Sequence, residues 1–215
     1  MPVETRHQLV ARLTAERDPD VLGEYVHHPA WQVRWAAIES LGKSGSPKAE
    51  GPLLAVLRTS ADARDYPWAN AALGRVGSKA AIPALSALIH HQIEDVKGSA
   101  IAALGAIGDA SLTPTYLDAL SDRSWVAKWA AMGAIARSAD ARAVEPVSQR
   151  VRAILSRERK RDLGGTTEVM YALEFLDRWS SSNPVAAETI EWVRTSALGR
   201  LLKEERTWFD TKFGA

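Results

Sequence analysis

Residues Trp31 to Gly45 read WQVRWAAIESLGKSG, and the chain repeats this stretch in degraded form. Arg64 to Gly77 is RDYPWANAALGRVG, Glu94 to Gly108 is EDVKGSAIAALGAIG, and Trp125 to Ala139 is WVAKWAAMGAIARSA. The pairs Leu41-Gly42, Leu73-Gly74 and Leu104-Gly105 are 32 and 31 residues apart, and Ile135-Ala136 follows 31 later. Gly45, Gly77, Gly108 and Ala139 close the four stretches. Self-similarity at a fixed period of this size marks a repeat architecture, in which one supersecondary unit stacks on the next.

Each stretch is followed by a short linker and a second apolar run, with a proline near its start at Pro52, Pro83, Pro114 and Pro146. Proline is tolerated in the first turn of a helix, where its missing N–H would have no partner. Ile82, Leu85, Leu88 and Ile89 recur at helical spacing. Each unit is therefore two helices joined by a tight turn. Val3 to Ala15 reads as one helix, and Asp18-Pro19 as a cap and first position of a short helix reaching about Val26. Residues 156 to 167, SRERKRDLGGTT, are a charged, glycine-containing break. TTEVMYALEFLDRW makes a further helix, and Asn183-Pro184 caps a last one from about Val185 to Thr207.

The pattern x-x-V-R-x-x-A-A-x-A-L-G-x-I-G, followed by D-x-x-A-V-x-P-L, resembles HEAT-like repeats of the phycobilisome-lyase type. Trp31 to Gly45 matches it nearly position for position. Val96, Lys97, Ala100, Leu104, Gly105, Ile107, Gly108 and Asp109 match it in the fourth repeat, and Asp140, Ala143, Val144 and Pro146 match its second-helix start. Residues 1 to 155 are well covered, residues 166 to 215 only by helix count. The third repeat departs from it, with Asp65 and Tyr66 where Val-Arg is expected. The resemblance implies an all-α fold, a right-handed alpha-solenoid (an alpha-alpha superhelix) of about six HEAT-like helix pairs. It would be one solenoid domain over 1–215, with repeats at about 3–27, 31–58, 63–91, 94–120 and 125–155 and a longer C-terminal capping pair at 166–207. Such repeats serve lyases, DNA glycosylases, scaffolds and inhibitors alike, so the resemblance informs fold rather than function.

Composition narrows the partners. The 215 residues are 46% hydrophobic and 25% charged, enough for a sizeable core. A net charge of +1 gives no global attraction to nucleic acid or an anionic membrane. With no cysteine, disulfides and thiolate metal sites are excluded, and a cytoplasmic home is favoured. No targeting peptide and no membrane-spanning run is visible.

In proteins that this chain resembles, the first helix of each pair lines the concave side. Positions that the motif leaves variable then point into a groove. They are Trp31, Gln32, Trp35, Ala36, Glu39 and Lys43; Arg64, Pro67, Trp68, Ala71 and Arg75; Glu94, Asp95, Gly98, Ser99, Ala102 and Ala106; Trp125, Val126, Trp129, Ala130, Gly133 and Arg137. Met170, Tyr171, Glu174 and Arg178 follow in the sixth repeat, and Glu4, His7, Gln8 and Ala11 in the first. Five of the eight tryptophans fall on these positions, while Trp179 and Trp192 are assigned to core. The expected groove is aromatic, with an indentation at Gly98, Ser99 and Ala102 between Trp68 and the Trp125/Trp129 pair. Lys43, Arg75, Arg137 and Arg178 form a cationic column at one rim, and Glu94 and Asp95 an acidic one opposite.

Candidate chemistry is sparse. His27-His28 and His90-His91 end second helices two repeats apart, too far to share an ion, and histidine suits a helix C-terminus. There is no nucleophile elbow, phosphate loop or HExxH. Arg150, Arg152, Arg157, Arg159, Lys160 and Arg161 read as a solvated helix end and loop. No cofactor or metal is expected. The favoured expectation is a non-enzymatic scaffold binding a protein or peptide through Trp31, Trp35, Glu39, Lys43, Arg64, Trp68, Arg75, Glu94, Asp95, Ser99, Trp125, Trp129 and Arg137. The alternatives are a lyase or DNA-glycosylase-like HEAT enzyme or enzyme subunit, and an immunity or inhibitor protein.

Overall fold

The computed structural model describes residues 4–158 and 166–214. Among them every regular element is helical. Two short caps, repeated from pair to pair, set the helix boundaries. Inside a pair, Ser46, Ser78, Asp109 and Asp140 each accept the backbone N–H two residues on, from Lys48, Ala80, Ser111 and Arg142. Each such cap starts a single 3-10 turn that runs straight into the second helix. Between pairs, His28, Asp62, His91 and Asp122 do the same for the N–H of Ala30, Arg64, Ile93 and Ser124, at 3.1, 3.1, 3.1 and 2.7 Å. Short polar side chains that bond their own backbone two residues on favour turns over continued helix.

The helices group into two compact units, Met1–Ile107 and Gly108–Ala215. The first holds α1 (Arg6–Ala15), α2 (Pro19–Gly23), α3 (Trp31–Lys43), α4 (Glu50–Thr59), α5 (Asp65–Val76), α6 (Ile82–Ser86) and α7 (Glu94–Ile107). Here α1, α3, α5 and α7 pack side by side in that order, and α2, α4 and α6 back α3, α5 and α7. The second holds α8 (Thr113–Ala119), α9 (Trp125–Ser138), α10 (Val144–Leu155), α11 (Glu168–Trp179), α12 (Pro184–Trp192) and α13 (Lys203–Phe213). In it α9 packs on α8 and α11, α10 on α11 and α12, and α13 on α11.

The repeat residues explain the close packing. Leu41, Leu73, Leu104 and Ile135 are fully buried, each contributing roughly 2 kcal/mol. A Cβ on Gly42 would stand 2.8 Å from Ala72 Cβ and 2.9 Å from Ala72 Cα, so this glycine is what lets α5 approach α3. Gly45 and Gly108 have φ of 66° and 79°, the left-handed region that favours glycine, and Ala139 takes φ 51° at the equivalent place.

Several expected boundaries shift. The first helix starts at Arg6, because Thr5 and Gln8 cap it reciprocally; Val3 lies outside the described residues. Its partner stops at Gly23 rather than Val26, where the ladder tightens to bonds such as Tyr25 N–H to Leu22 O and His28 N–H to Tyr25 O. The last expected helix is two. After Trp192 the chain makes a π turn over Val193–Ala197 and a 3-10 turn over Leu198–Arg200. A new helix then starts as Leu202 N–H bonds Glu205 Oε2 at 3.0 Å. Trp179 and Trp192 are half-buried, and the Trp192 ring is covered by the Arg152 guanidinium, 4.8 Å from its centroid. Arg159, Lys160, Arg161, Gly164 and Gly165 lie outside the described residues. Among those described, no helix is long and apolar enough to cross a membrane.

Candidate functional site: the aromatic faces of the first helices

In the first unit the variable positions form two clusters. Trp31, the first residue of α3, stacks on Trp68 of α5 with centroids 6.0 Å apart and planes 28° apart. The Arg64 guanidinium lies 5.5 Å from the Trp31 centroid. Trp31 keeps 40% of its surface exposed and Trp35, one turn on, 37%. The second cluster is ionic. Glu39 takes Lys43 at 3.2 Å and Arg75 at 2.9 Å, and Arg75 also donates to the carbonyl of Gly42. Burial pushes the Glu39 carboxyl up, but its bonds from Lys43 and Arg75 hold it below the ordinary range.

On α7, Glu94 and Asp95 are exposed in the first turn, where the helix dipole favours anions. Gly98 is buried. The Ser99 hydroxyl donates to Val96 O at 3.0 Å and accepts from Asn70 Nδ2 at 3.0 Å, so it ties α7 to α5 and has no free role as a nucleophile.

The second unit builds its face differently. Trp125, the first residue of α9, is 57% exposed. Trp129 is 37% exposed, its indole N–H donates to Thr166 O at 2.8 Å, and its ring lies 5.8 Å from that of Tyr171 on α11. A Cβ on Gly133 would meet the Tyr171 ring at 3.4 Å, so this position leaves room for the tyrosine. Arg178 donates to Ala136 O at 3.0 Å, the same link from one first helix to the C-terminal carbonyls of the preceding one that Arg75 makes to Gly42. Arg137 is exposed at the end of α9, and its charge is felt at Tyr116. Burial nonetheless pushes the Tyr116 hydroxyl up to about 12, which keeps its proton on.

One node went unread in the sequence. Arg34 of α3 gives Nε to Asp65 Oδ2 at 2.8 Å, Nη2 to Asp62 Oδ2 at 2.6 Å, and Nη1 to the carbonyls of His28 and Pro29 at 3.1 Å each. Ser60 Oγ also donates to Asp65, whose carboxylate is 1% exposed. The node borders a cavity of about 530 Å³ lined by His27, His28, Arg34, Thr59, Ser60 and Asp62. Because Arg34 is spent on four acceptors, the node holds the turn together and leaves little for an anion. Arg64, then the Arg64 backbone N–H, holds the Asp62 carboxyl well below the usual range. The signal was present in Asp65, which breaks the Val-Arg pattern of the third repeat. His28 and His91 use Nδ1 as turn acceptors. Among the described residues no group of three His, Asp or Glu side chains could hold a metal ion.

These faces belong to a repeat protein of known class. The profile of HEAT repeats matches residues 19–103 and 51–136, more than half of the chain, and the chain belongs to the HEAT-repeat family. An engineered protein of solved structure is 19% identical, with a TM-score of 0.54, covering 93% of this chain and 98% of its own. That likeness is one of fold. A chain in the complex of CpcE and CpcF of phycocyanin lyase from Nostoc sp. PCC7120 is 16% identical, with a TM-score of 0.49, covering 88% of this chain and 81% of its own. No curated protein matches the chain significantly.

Proposed function

We propose that the protein is a non-enzymatic HEAT-repeat scaffold that binds a protein or peptide segment on the aromatic faces of its first helices. The observation that carries this reading is the exposure of four tryptophans, Trp31, Trp35, Trp125 and Trp129, all in the first two turns of α3 and α9. A pair of large apolar side chains left bare on one helix marks an interaction surface, and each unit carries one such pair; Trp and Arg dominate binding energy where they occur. In the first unit cationic residues of the first helices serve the fold: Lys43 and Arg75 on Glu39, Arg64 on Asp62. A single solenoid domain and a cytoplasmic location go with this reading.

The test is a peptide-display selection on the full chain. Affinities of the selected peptides are then measured against Trp31→Ala/Trp35→Ala and Trp125→Ala/Trp129→Ala, with melting curves confirming the fold. Loss of an anchor tryptophan should weaken binding on the order of 30-fold or more. Peptides that bind both double variants as well as the parent would show that the aromatic faces are not the site.

A further inference from the structure

The two histidine pairs of the first unit are built alike. His27 and His90 are exposed, whereas His28 and His91 are half-buried. The His28 ring lies 6.4 Å from that of Tyr25, and the His91 ring 6.0 Å from that of Tyr66. His28 Nδ1 accepts the N–H of Ala30 and His91 Nδ1 that of Ile93, both at 3.1 Å. α3 begins directly after Ala30 and α7 directly after Ile93, and neither residue has a side chain that can cap a helix. The polar group that fixes each turn is therefore the histidine two residues earlier. A ring nitrogen accepts only while it carries no proton, so both imidazoles are neutral, with their proton on Nε2.

Protonation is unfavourable here on two counts. It removes the acceptor, and it sets a cation near the N-terminus of a long helix, the positive end of its dipole. The helices before the histidines offer little in return. α2 and α6 have five residues each and stop at Gly23 and Ser86, whereas α3 and α7 have 13 and 14. The charged groups around the two rings differ. The Arg34 guanidinium sits on the carbonyl of His28 at 3.1 Å, and the Tyr25 ring also carries Arg12 of α1 at 5.6 Å. Asp62 lines the same cavity as His27 and His28, but Arg34 and Arg64 hold its carboxylate. His91 follows His90, meets Tyr66 of α5, and precedes Glu94, Asp95 and Lys97 at the start of α7. Two carboxylates in that first turn receive an imidazolium better than Arg34 does, so His28 responds more strongly than His91.

We propose that His28 and His91 make the first unit pH-sensitive: protonation at Nδ1 takes the acceptor from the turns before α3 and α7 and loosens the starts of both helices. An imidazole in water takes its proton near about pH 6.5, so the contribution of these turns is present above that range and lost as pH falls through it. Asp62 and Asp122 do the same work for the N–H of Arg64 and Ser124, and a carboxylate stays an acceptor throughout this range. The turn before α9, with Asp122 and the Ser124 cap, is therefore indifferent to mild acid. Trp31 follows Ala30, so the loosening in α3 falls at the root of the Trp31/Trp35 face. The proposal stands apart from what that face binds.

NMR on the isotope-labelled full chain tests this. At neutral pH the imidazoles of His28 and His91 should show the Nε2–H tautomer. The amide resonances of Ala30 and Ile93 should then move with the protonation of the histidine two residues before them, while that of Ser124 stays in place. Melting curves give the size of the effect. Between about pH 7.5 and 5.5 the parent should lose about 3 °C more than His28→Asn/His91→Asn, because asparagine keeps an acceptor in the turn and takes no proton. His7, His27 and His90 are present in both proteins, so their contributions cancel. Equal losses in parent and variant would overturn the proposal. So would an Nδ1–H tautomer at His28 and His91, or an Ala30 amide that does not move as His28 titrates. These last two readings need only the parent chain, and they decide the matter if the asparagine variant does not fold.

Discussion

The tetrapeptide Ala-Asp-Ala-Arg occurs twice, at residues 61–64 in the first unit and at residues 139–142 in the second. Locally the two copies fold alike. Asp62 Oδ1 accepts the backbone N–H of Arg64 at 3.1 Å, and Asp140 Oδ1 that of Arg142 at 3.0 Å. Each arginine then closes back on its aspartate with Nε and Nη2. Yet the first copy lies between two helix pairs and the second inside one. Asp62 also receives Arg34, which in turn serves the buried Asp65, whereas Arg142 and the Thr113 hydroxyl both donate to Ala110 O. Four residues are enough to specify a turn. What the turn contributes to stability depends on what the rest of the fold brings to it.

The largest difference should come from Arg34. Replacing it by methionine removes the partner of a carboxylate that is 1% exposed, and breaking a buried pair from one side costs about 3 kcal/mol. Lys128 stands at the same repeat position in the second unit and has no such carboxylate among the residues bonded to it in the structure described. Urea unfolding at pH 7 should show Arg34→Met strongly destabilised and Lys128→Met within about 0.5 kcal/mol of the parent. Equal costs would mean that the Asp62–Asp65 node is not what distinguishes the two turns.

The acidic limb sharpens the comparison at the other copy. The Arg142 side chain holds the Asp140 carboxyl down to about 2. A depressed carboxyl contributes stability above its unfolded value, near 3.8, and loses that contribution as pH falls through the folded one. Asp140→Ala, which removes the cap of the 3-10 turn before α10, should cost about 1 kcal/mol at neutral pH. The gap between variant and parent should close as pH drops from about 4 towards 2. A gap that persists unchanged at pH 2 would assign the effect to something other than the ionised carboxylate.

Much of this was legible from residues. The Leu-Gly pairs and the prolines placed the helix pairs, because helix period, breaker chemistry and close packing all act over a few residues. The variable positions include the exposed Trp31, Trp35, Trp125 and Trp129, but the same frame put Ala36, Gly98, Ala130 and Gly133 among them, and these are buried against neighbouring helices, so a repeat frame alone does not separate exposed from packing positions. Arg34 was not legible as a node. Its four partners, two carboxylates and two carbonyls, come from 5 to 31 positions away, and in the repeat pattern it counts as frame. The break after Trp192 was missed for a related reason. The π turn over Val193–Ala197 leaves no composition signal, and the restart at α13 depends on Glu205 reaching back to Leu202 while Thr167 Oγ1 bonds the same carboxylate from 38 residues away.

The smallest effect separates the two copies at their first residue. Ala139 sits at φ 51°, closing α9 in the left-handed region, whereas Ala61 has no positive φ. An alanine held there is strained by about 1 kcal/mol against the carbonyl that follows it. Glycine relieves that strain but adds backbone freedom to the unfolded chain, which returns about 0.5 kcal/mol of the gain. Ala139→Gly should therefore raise stability by about 0.5 kcal/mol, while Ala61→Gly, with no strain to relieve, should lower it by a similar amount. Paired thermal melts can resolve opposite signs of this size. If both substitutions destabilise, Ala139 is not strained in solution, and the difference between the two Ala-Asp-Ala-Arg turns begins only at the aspartates.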